Sequence, residues 1–418
     1  MERPITKALS IATSEAKMYV ASLVNISTLQ GTYRVQQHNI CNATAGITSH
    51  PCDRHWAESQ IAQPALESLF TALQGFSIMA EVSSNLPGRI GILGGGSWAT
   101  ALAKIVLTRQ PHLNWLLRTA NHIKEFTRLK HNPSYLTSVT FDTSRITFFT
   151  DSDINDFFRA CDTVILATPS PYIRYYLKRV RTSVIRTKLI INAIKGMVPE
   201  ENILISDYLQ EYKELRPGQI GVIAGPCHAE EIAKDRMSYL TVGCFDLGKA
   251  KVLSEELFSN DYVHCAVSRD VVGIEYAAVL KNIYAIAAGI CHGMNKGDNF
   301  QSVLISNAIA EMSHFVGTVH LLNRDVTESV YLGDLLVTAY SSYSRNRTFG
   351  NMIGKGYSVR AAQMEMNMVA EGYYGAKCIH EINQRYQVTM PICDTVYGIL
   401  YEGAPVEESI TKLAALFK

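Results

Sequence analysis

The sequence predicts an α/β fold, an N-terminal doubly wound sheet of parallel strands with helices on both faces, followed by a mostly α-helical C-terminal domain. Three observations predict it. From Arg89 onward short apolar runs alternate with helical patterns. The first of those runs enters a glycine-rich turn that opens a helix. Past Asp270 the strand signal fades, and helical patterns continue to residue 417.

The first strand is the apolar run Ile90-Gly-Ile-Leu93. Gly94, Gly96 and Ala99 follow at the spacing G-x-G-x-x-A, and a helix with Ala101, Leu102, Ile105 and Val106 on its inner side comes next. The first glycine permits a tight turn, and the second lets backbone approach a pyrophosphate. Small Ala99 allows close helix–strand packing, and the helix N-terminus offers free N–H groups to phosphates. Strand, turn and helix in that order make this a Rossmann-like dinucleotide site.

Further strands are predicted at 114–117, 146–149, 163–168, 188–193, 219–224 and 239–243. Helices are predicted near 120–130, 152–160, 172–182, 201–212, 228–235 and 248–259. The runs at 163–167 and 189–191 are continuously apolar, as parallel strands covered on both faces require. Val271 to Cys291 reads as one long apolar helix. Helical patterns follow near 300–320, 358–369, 373–386, 392–401 and 407–417. The predicted division is an extension at 1–87, a dinucleotide-binding domain at 88–271 and a helical substrate-binding domain at 272–418, with the chemistry in the cleft between the last two.

The 418 residues are 47% apolar and 18% charged, with a net charge of +1. That balance gives no sign of a nucleic-acid or membrane-binding face, and no apolar run approaches the roughly 18–20 residues of a spanning helix. Nine cysteines without a C-x-x-C pair indicate reduced thiols and a cytoplasmic location. His131, His228, His264 and His292 are isolated, so no metal is expected. Residues 1–87 are rich in Ser, Thr, Ala, Asn and Gln, and their basic start faintly resembles a transit segment. Translation from Met79 is the other reading, and on either the segment is expected to be dispensable.

The chemistry is expected at the strand ends and on the long helix. Where a strictly NAD-using site carries an acid, about 20 residues past the glycine turn, the sequence has Leu116-Leu117-Arg118. Arg118 either faces an adenosine 2′-phosphate or is a solvated strand-end arginine, which leaves NAD and NADP both open. Ala167-Thr-Pro-Ser-Pro171 ends a buried strand with a stiff turn, and Asn192-Ala-Ile-Lys-Gly196 brings Lys195 to the same edge. Gly225-Pro-Cys-His-Ala229 opens another helix, with Cys227 lacking the paired base a nucleophile needs.

Lys281-Asn282 lies inside the apolar helix. Burial or a nearby cation lowers a lysine toward neutral pH, where it can exchange a proton with an alcohol or polarise a carbonyl; the alternative is a lysine reaching outward. Asp334 either orients Lys281 or accepts a substrate hydroxyl. Ser344, Arg345 and Asn346, at a turn opening a helix, offer hydroxyl, guanidinium and amide donors to a small phosphate.

In order, Gly94–Ala99, Lys195-Gly196, Gly225-Pro226, Lys281-Asn282, Gly333-Asp334, Ser344–Arg347 and Glu371-Gly372 resemble the motifs of the NAD(P)-dependent glycerol-3-phosphate dehydrogenases of bacterial type, from about residue 88 to 415. The resemblance implies an oxidoreductase moving hydride between dihydroxyacetone phosphate and sn-glycerol 3-phosphate, supplying glycerol phosphate for phospholipids. It implies Lys281 as proton acceptor and Lys195 in contact with cofactor and substrate. Asp334, Ser344, Arg345 and Asn346 would bind substrate, with Gly225, Cys227 and Asn282 beside them. Gly94, Gly96, Ser97, Trp98, Ala229, Arg345 and Glu371 would contact NAD or NADP, and Arg118 its adenosine end. The sequence leaves the oligomeric state open, with a homodimer as one candidate. Two departures stand out. Gly225-Pro-Cys-His-Ala229 replaces the usual Gly-Pro-Ser-Phe-Ala, which puts the contact of Cys227 in doubt, and Ala99 replaces a glycine. The alternatives are a related dehydrogenase of another hydroxy acid or phosphorylated hydroxy compound, and a non-catalytic NAD(P)-binding sensor.

Overall fold

The structure, a computed structural model, describes residues 86–366 and 368–417. The expectations for residues 1–85, transit-like character and dispensability, and the start at Met79, lie outside the described residues.

Eight strands form one sheet: β1 Ile90–Leu93, β2 Leu113–Leu116, β3 Ile146–Phe149, β4 Thr163–Leu166, β5 Leu189–Asn192, β6 Ile220–Ala224, β7 Ser238–Cys244 and β8 Val263–Ser268. Their order across the sheet is β3-β2-β1-β4-β5-β6-β7-β8. The helices among them are α1 Ser97–Arg109, α2 Ala120–Leu129, α3 Ile154–Ala160, α4 Ser170–Arg179, α5 Thr182–Ile185, α6 Ile205–Lys213, α7 Ala229–Ile232 and α8 Leu247–Leu253. Beyond the sheet come α9 Val271–Gly293, α10 Gly297–Val319, α11 Asp334–Tyr340, α12 Arg345–Gly354, α13 Val359–Glu365, α14 Glu371–Tyr386, α15 Pro391–Tyr401 and α16 Val406–Ala414.

Strands β1, β2, β4 and β5 are buried at every position, which is why they read as mainly apolar runs. Their residues alternate between two cores. Ile90, Ile92, Trp115, Ile165 and Ile191 face the core shared with α1. Leu93, Leu116, Val164, Leu166 and Ile190 face the core of α3, α4 and α6. The chain order reverses at the β1–β4 pair, so the turns leaving these two parallel strands diverge and leave a crevice at their C-terminal ends.

The mostly parallel sheet and the helical second half agree with the sequence. Two features differ. Strand β7 runs antiparallel to β6, and β8 runs parallel to β7 at the edge. The sequence gives little sign of β8 because an edge strand has no second neighbour; only Val263 of its six residues is buried, so neither alternation nor a continuous apolar run develops. Helices α5 and α11 are not anticipated either. They span four and seven residues.

Helix α9 is buried on all its faces from Gly273 to Cys291, as expected of a helix at the centre of a bundle. It also corrects the expectation that no segment is long and apolar enough to span a membrane. Val271–Gly293 meets that test on length and a mean hydropathy of 1.4, yet 94% of its apolar window is buried inside the fold, the place of a core helix.

Candidate active site

A cavity of about 1220 Å³ opens at the crevice. It is larger than the roughly 300–1,000 Å³ of ordinary small-molecule pockets, as a dinucleotide and a substrate together require. Its sheet side is the turn after β1, the ends of β2, β4 and β5, and the start of α7. Its helical side is α9, the starts of α12 and α14, and Thr338 on α11.

The glycine turn is shaped by contacts on one side and space on the other. Gly94 has φ +131°, and a side chain there would meet the carbonyl oxygen of Ala167 at 2.4 Å. Around Gly96 a Cβ would meet nothing within 4 Å. Gly96 caps α1 without a side chain, and no acidic residue lies in the first turn. The first N–H groups of α1 are therefore left for an anion, and the positive end of the helix faces the cavity. Together these features fit the pyrophosphate of a dinucleotide. Trp98 is fixed beside the turn, its indole N–H donating to the carbonyl of Ala193 at 3.0 Å.

Across the crevice, Lys281 and Lys195 share one carboxylate. The Lys281 ammonium donates to Asp334 Oδ1 and, at 3.1 Å, to Thr338 Oγ1. The Lys195 ammonium lies 3.5 Å from Asp334 Oδ2 and 3.4 Å from the carbonyl of Gly225. Asp334 Oδ2 also accepts the N–H of Gly225 at 3.2 Å. That turn is specific to glycine: Gly225 has φ +136°, and a Cβ would lie 2.5 Å from the carbonyl oxygen of Tyr239.

The electrostatics follow from two cations against one anion in a buried place. Burial and the neighbouring Lys195 ammonium push Lys281 down to about 7, against the pull of Asp334. Burial alone would lower Lys195 too, but Asp334, with Cys227 and the hydrogen bond to Lys281 added, raises that lysine overall; a fifth of its side chain stays exposed. Burial tends to raise Asp334, yet the two ammonium groups hold it below the usual carboxylate range. Burial and the same two lysines push His228 down to about 4. Burial raises the Cys227 thiol although Lys195 opposes it. Cys227 donates to the carbonyl of Gly225 at 3.0 Å, with the Lys195 nitrogen 3.9 Å away. A raised thiol of this kind is a poor nucleophile.

A second set of hydrogen bonds ties three segments together. Asn282 donates to the carbonyl of Lys195 at 2.8 Å and accepts from the Asn346 amide at 2.9 Å. Asn346 in turn accepts the N–H of Gly372 at 2.9 Å. Ser344 caps α12, accepting the N–H of Arg347 at 3.3 Å, and among the described residues Arg345 makes one weak side-chain hydrogen bond, to Met368 sulfur at 3.8 Å. Glu371 accepts the N–H of Ser170 at 2.9 Å and the Ser170 hydroxyl, and burial raises its pKa.

Of the residues singled out in the sequence, Gly94, Gly96, Ser97, Trp98, Arg118, Lys195, Cys227, Ala229, Lys281, Asn282, Ser344, Arg345, Asn346 and Glu371 line the cavity. Gly225 and Asp334 do not; Asp334 is 1% exposed, behind the two lysines. Its two oxygens hold the two amines and a backbone N–H. Sequence reasoning missed Thr338, although its place four residues after Asp334 puts both on one helix face. It also missed the hydrogen bonds of Ser170, in the Ala167–Pro171 turn, to Glu371, and the group of Tyr172, Tyr175, Tyr176 and Asp151 that lines the cavity with Arg118. Among the described residues no cluster of three or more His, Cys, Asp or Glu side chains has a metal-holding arrangement.

Two family models match the chain: NAD-dependent glycerol-3-phosphate dehydrogenase N-terminus over residues 89–250, and the corresponding C-terminus over 270–411. An NAD(P)+ glycerol-3-phosphate dehydrogenase of Bacillus velezensis is 32% identical over 334 residues, covering 79% of this chain and 95% of its own. That of Prosthecochloris aestuarii is 34% identical over 326 residues, covering 78% and 97%. The crystal structure of glycerol-3-phosphate dehydrogenase from Coxiella burnetii superposes with a TM-score of 0.72 at 26% identity, covering 78% of this chain and 98% of that one.

Proposed function

The chain belongs to the NAD-dependent glycerol-3-phosphate dehydrogenase family, and from that premise we propose how its own residues carry the reaction. It is an NAD(P)-dependent oxidoreductase that interconverts dihydroxyacetone phosphate and sn-glycerol 3-phosphate. Bound NAD or NADP supplies or takes up the hydride at the substrate C2 carbon. Everything else is done by side chains around the cavity.

Lys281 moves the proton at the C2 oxygen. Uncharged, it takes the proton from the alcohol; charged, it returns the proton to the ketone. Asp334 and Thr338 hold its nitrogen in place. The observation that carries this reading is the buried pair of lysines on a single carboxylate, which lowers Lys281 well below its ordinary range. A lysine paired alone with a carboxylate would keep its proton throughout the physiological range.

The substrate phosphate is held by Arg345, by the Ser344 hydroxyl and by the amide hydrogen that Asn346 has left after bonding Asn282. The partly exposed Lys195 ammonium sits between this phosphate and the reacting carbon. Holding a charged group away from C2 fixes the orientation of the reacting atoms. Gly94, Gly96 and Ser97 would hold the pyrophosphate of the cofactor, Trp98, Ala229 and Glu371 its nicotinamide half, and Arg118 its adenosine end. Residues 88–271 thus act as the cofactor-binding domain and 272–418 as the substrate-binding one. Seven described cysteines are free thiols, which supports a reducing, cytoplasmic setting. The reading includes a homodimer, checked by light scattering as twice the chain mass.

The test is Lys281→Ala, assayed with dihydroxyacetone phosphate and NAD(P)H. The variant is expected to fold and to bind cofactor at wild-type affinity while turnover falls by about 10³ or more. Turnover within tenfold of wild type would remove Lys281 from the mechanism.

A further inference from the structure

The chemistry above leaves the one carboxyl group on the central helix unused. Glu275 is 2% exposed and lies on α9 six residues before Lys281. A carboxyl group in such a place is costly unless its oxygens are bonded. Oε1 accepts the side-chain amide of Asn192 at 2.5 Å and the N–H of Ser206 at 3.3 Å, while among the described residues the buried Oε2 has no partner.

Asn192 is the last residue of β5 and is fully buried. Its own oxygen accepts the N–H of Ile194 at 2.9 Å, which shapes the loop that carries Lys195. The same loop meets α9 a second time through the carbonyl of Lys195, bonded by Asn282. Glu275 and Asn282 are seven residues apart, close to two full turns, so both project from one face of α9 about 10.5 Å apart along its axis. The loop is thereby held to the helix at two points.

We propose that Glu275 is a positioning residue: acting through Asn192, it fixes the strand-end loop against α9 and so places the Lys195 ammonium beside Asp334 and Lys281. The proposal rests on Lys281 as the proton-transferring group. Lys195 is the nearest cation to Lys281, and its distance sets how readily Lys281 gives up a proton. Loosening the loop lets the Lys195 ammonium withdraw toward the open cavity, and Lys281 then holds its proton more tightly.

The experiment measures kcat/KM for glycerol 3-phosphate against pH with full-length wild type, Glu275→Gln, Glu275→Leu and Asn192→Leu. Gln keeps a carbonyl oxygen for Asn192, so the rising limb of its profile stays at the wild-type pH. Glu275→Leu and Asn192→Leu have limbs moved about half a unit or more toward alkaline pH and so lose about twofold or more at pH 7, and the double variant moves no further. Should Glu275→Leu fail to fold, Asn192→Leu against Glu275→Gln makes the same comparison. The proposal is overturned if the Leu variants lose only melting temperature with the limb unmoved, or if Gln shifts it as far as Leu. A wild-type profile with no limb near neutral pH would instead overturn the role of Lys281 itself.

Discussion

Lys281 owes its chemistry to its surroundings, since a lysine in water keeps its proton to about pH 10.4. Burial and the Lys195 ammonium favour the uncharged amine, and Asp334 restrains the shift without cancelling it. Two substitutions move the balance in opposite directions. Lys195→Met removes the repelling cation, so the rising limb of glycerol 3-phosphate oxidation shifts to higher pH. Asp334→Asn removes the restraining anion, so that limb shifts to lower pH, turnover drops by about 10² or more through lost orientation, and urea unfolding shows a loss of about 3 kcal/mol from the uncompensated buried cations. An unmoved limb in both variants would disconnect these neighbours from Lys281. The lysine was legible because a cation interrupts an apolar helical pattern. Asp334 could be suspected, but that it sits behind the lysines was not, because its partners Lys281 and Gly225 are 53 and 109 residues away in the chain. Glu275 was equally visible as a charge among apolar residues, yet its use depends on Asn192, which only the fold brings to it.

At the scale of elements, the contact between α9 and α12 positions Ser344, Arg345 and Asn346 beside Asn282. It is a contact between backbones. A Cβ on Gly350 would lie 2.1 Å from the carbonyl oxygen of Ile286, and one on Gly289 would lie 2.1 Å from that of Arg347. Gly350→Ala is therefore expected to push the helices apart, costing about 3 kcal/mol in chemical unfolding and raising KM for the phosphate substrate more than it lowers kcat. Unchanged stability would mean the two helices tolerate a wider spacing. Long and repetitive elements were readable from the sequence: the buried strands as apolar runs, and α9 as an unbroken helical stretch. What could not be read were elements whose signal is short or one-sided. Edge strand β8 exposes most of its residues, α11 spans two turns, and the antiparallel turn of β7 depends on pairing that no local pattern encodes.

In the molecule as a whole, the sheet half brings the glycine turn and Lys195 to the crevice, and the helical half brings Lys281, Asp334 and Arg345. Neither half holds the proton-transfer group and the cofactor cradle together. The family match begins at residue 89, so a chain begun at Met79 is expected to keep kcat/KM within about twofold of full length; a loss of tenfold or more would give the preceding residues a part in the reaction. The central claim is that one lysine, discharged near neutral pH, serves both directions. Because the reaction itself releases a proton, the two directions must diverge tenfold per pH unit, and only the position of the break is diagnostic. The decisive measurement is kcat/KM against pH for glycerol 3-phosphate oxidation and for dihydroxyacetone phosphate reduction. The account predicts that oxidation rises to a plateau near pH 7 and that reduction starts to fall at the same pH. A break above about pH 9, where an ordinary paired lysine would titrate, or different breaks in the two directions, would contradict it.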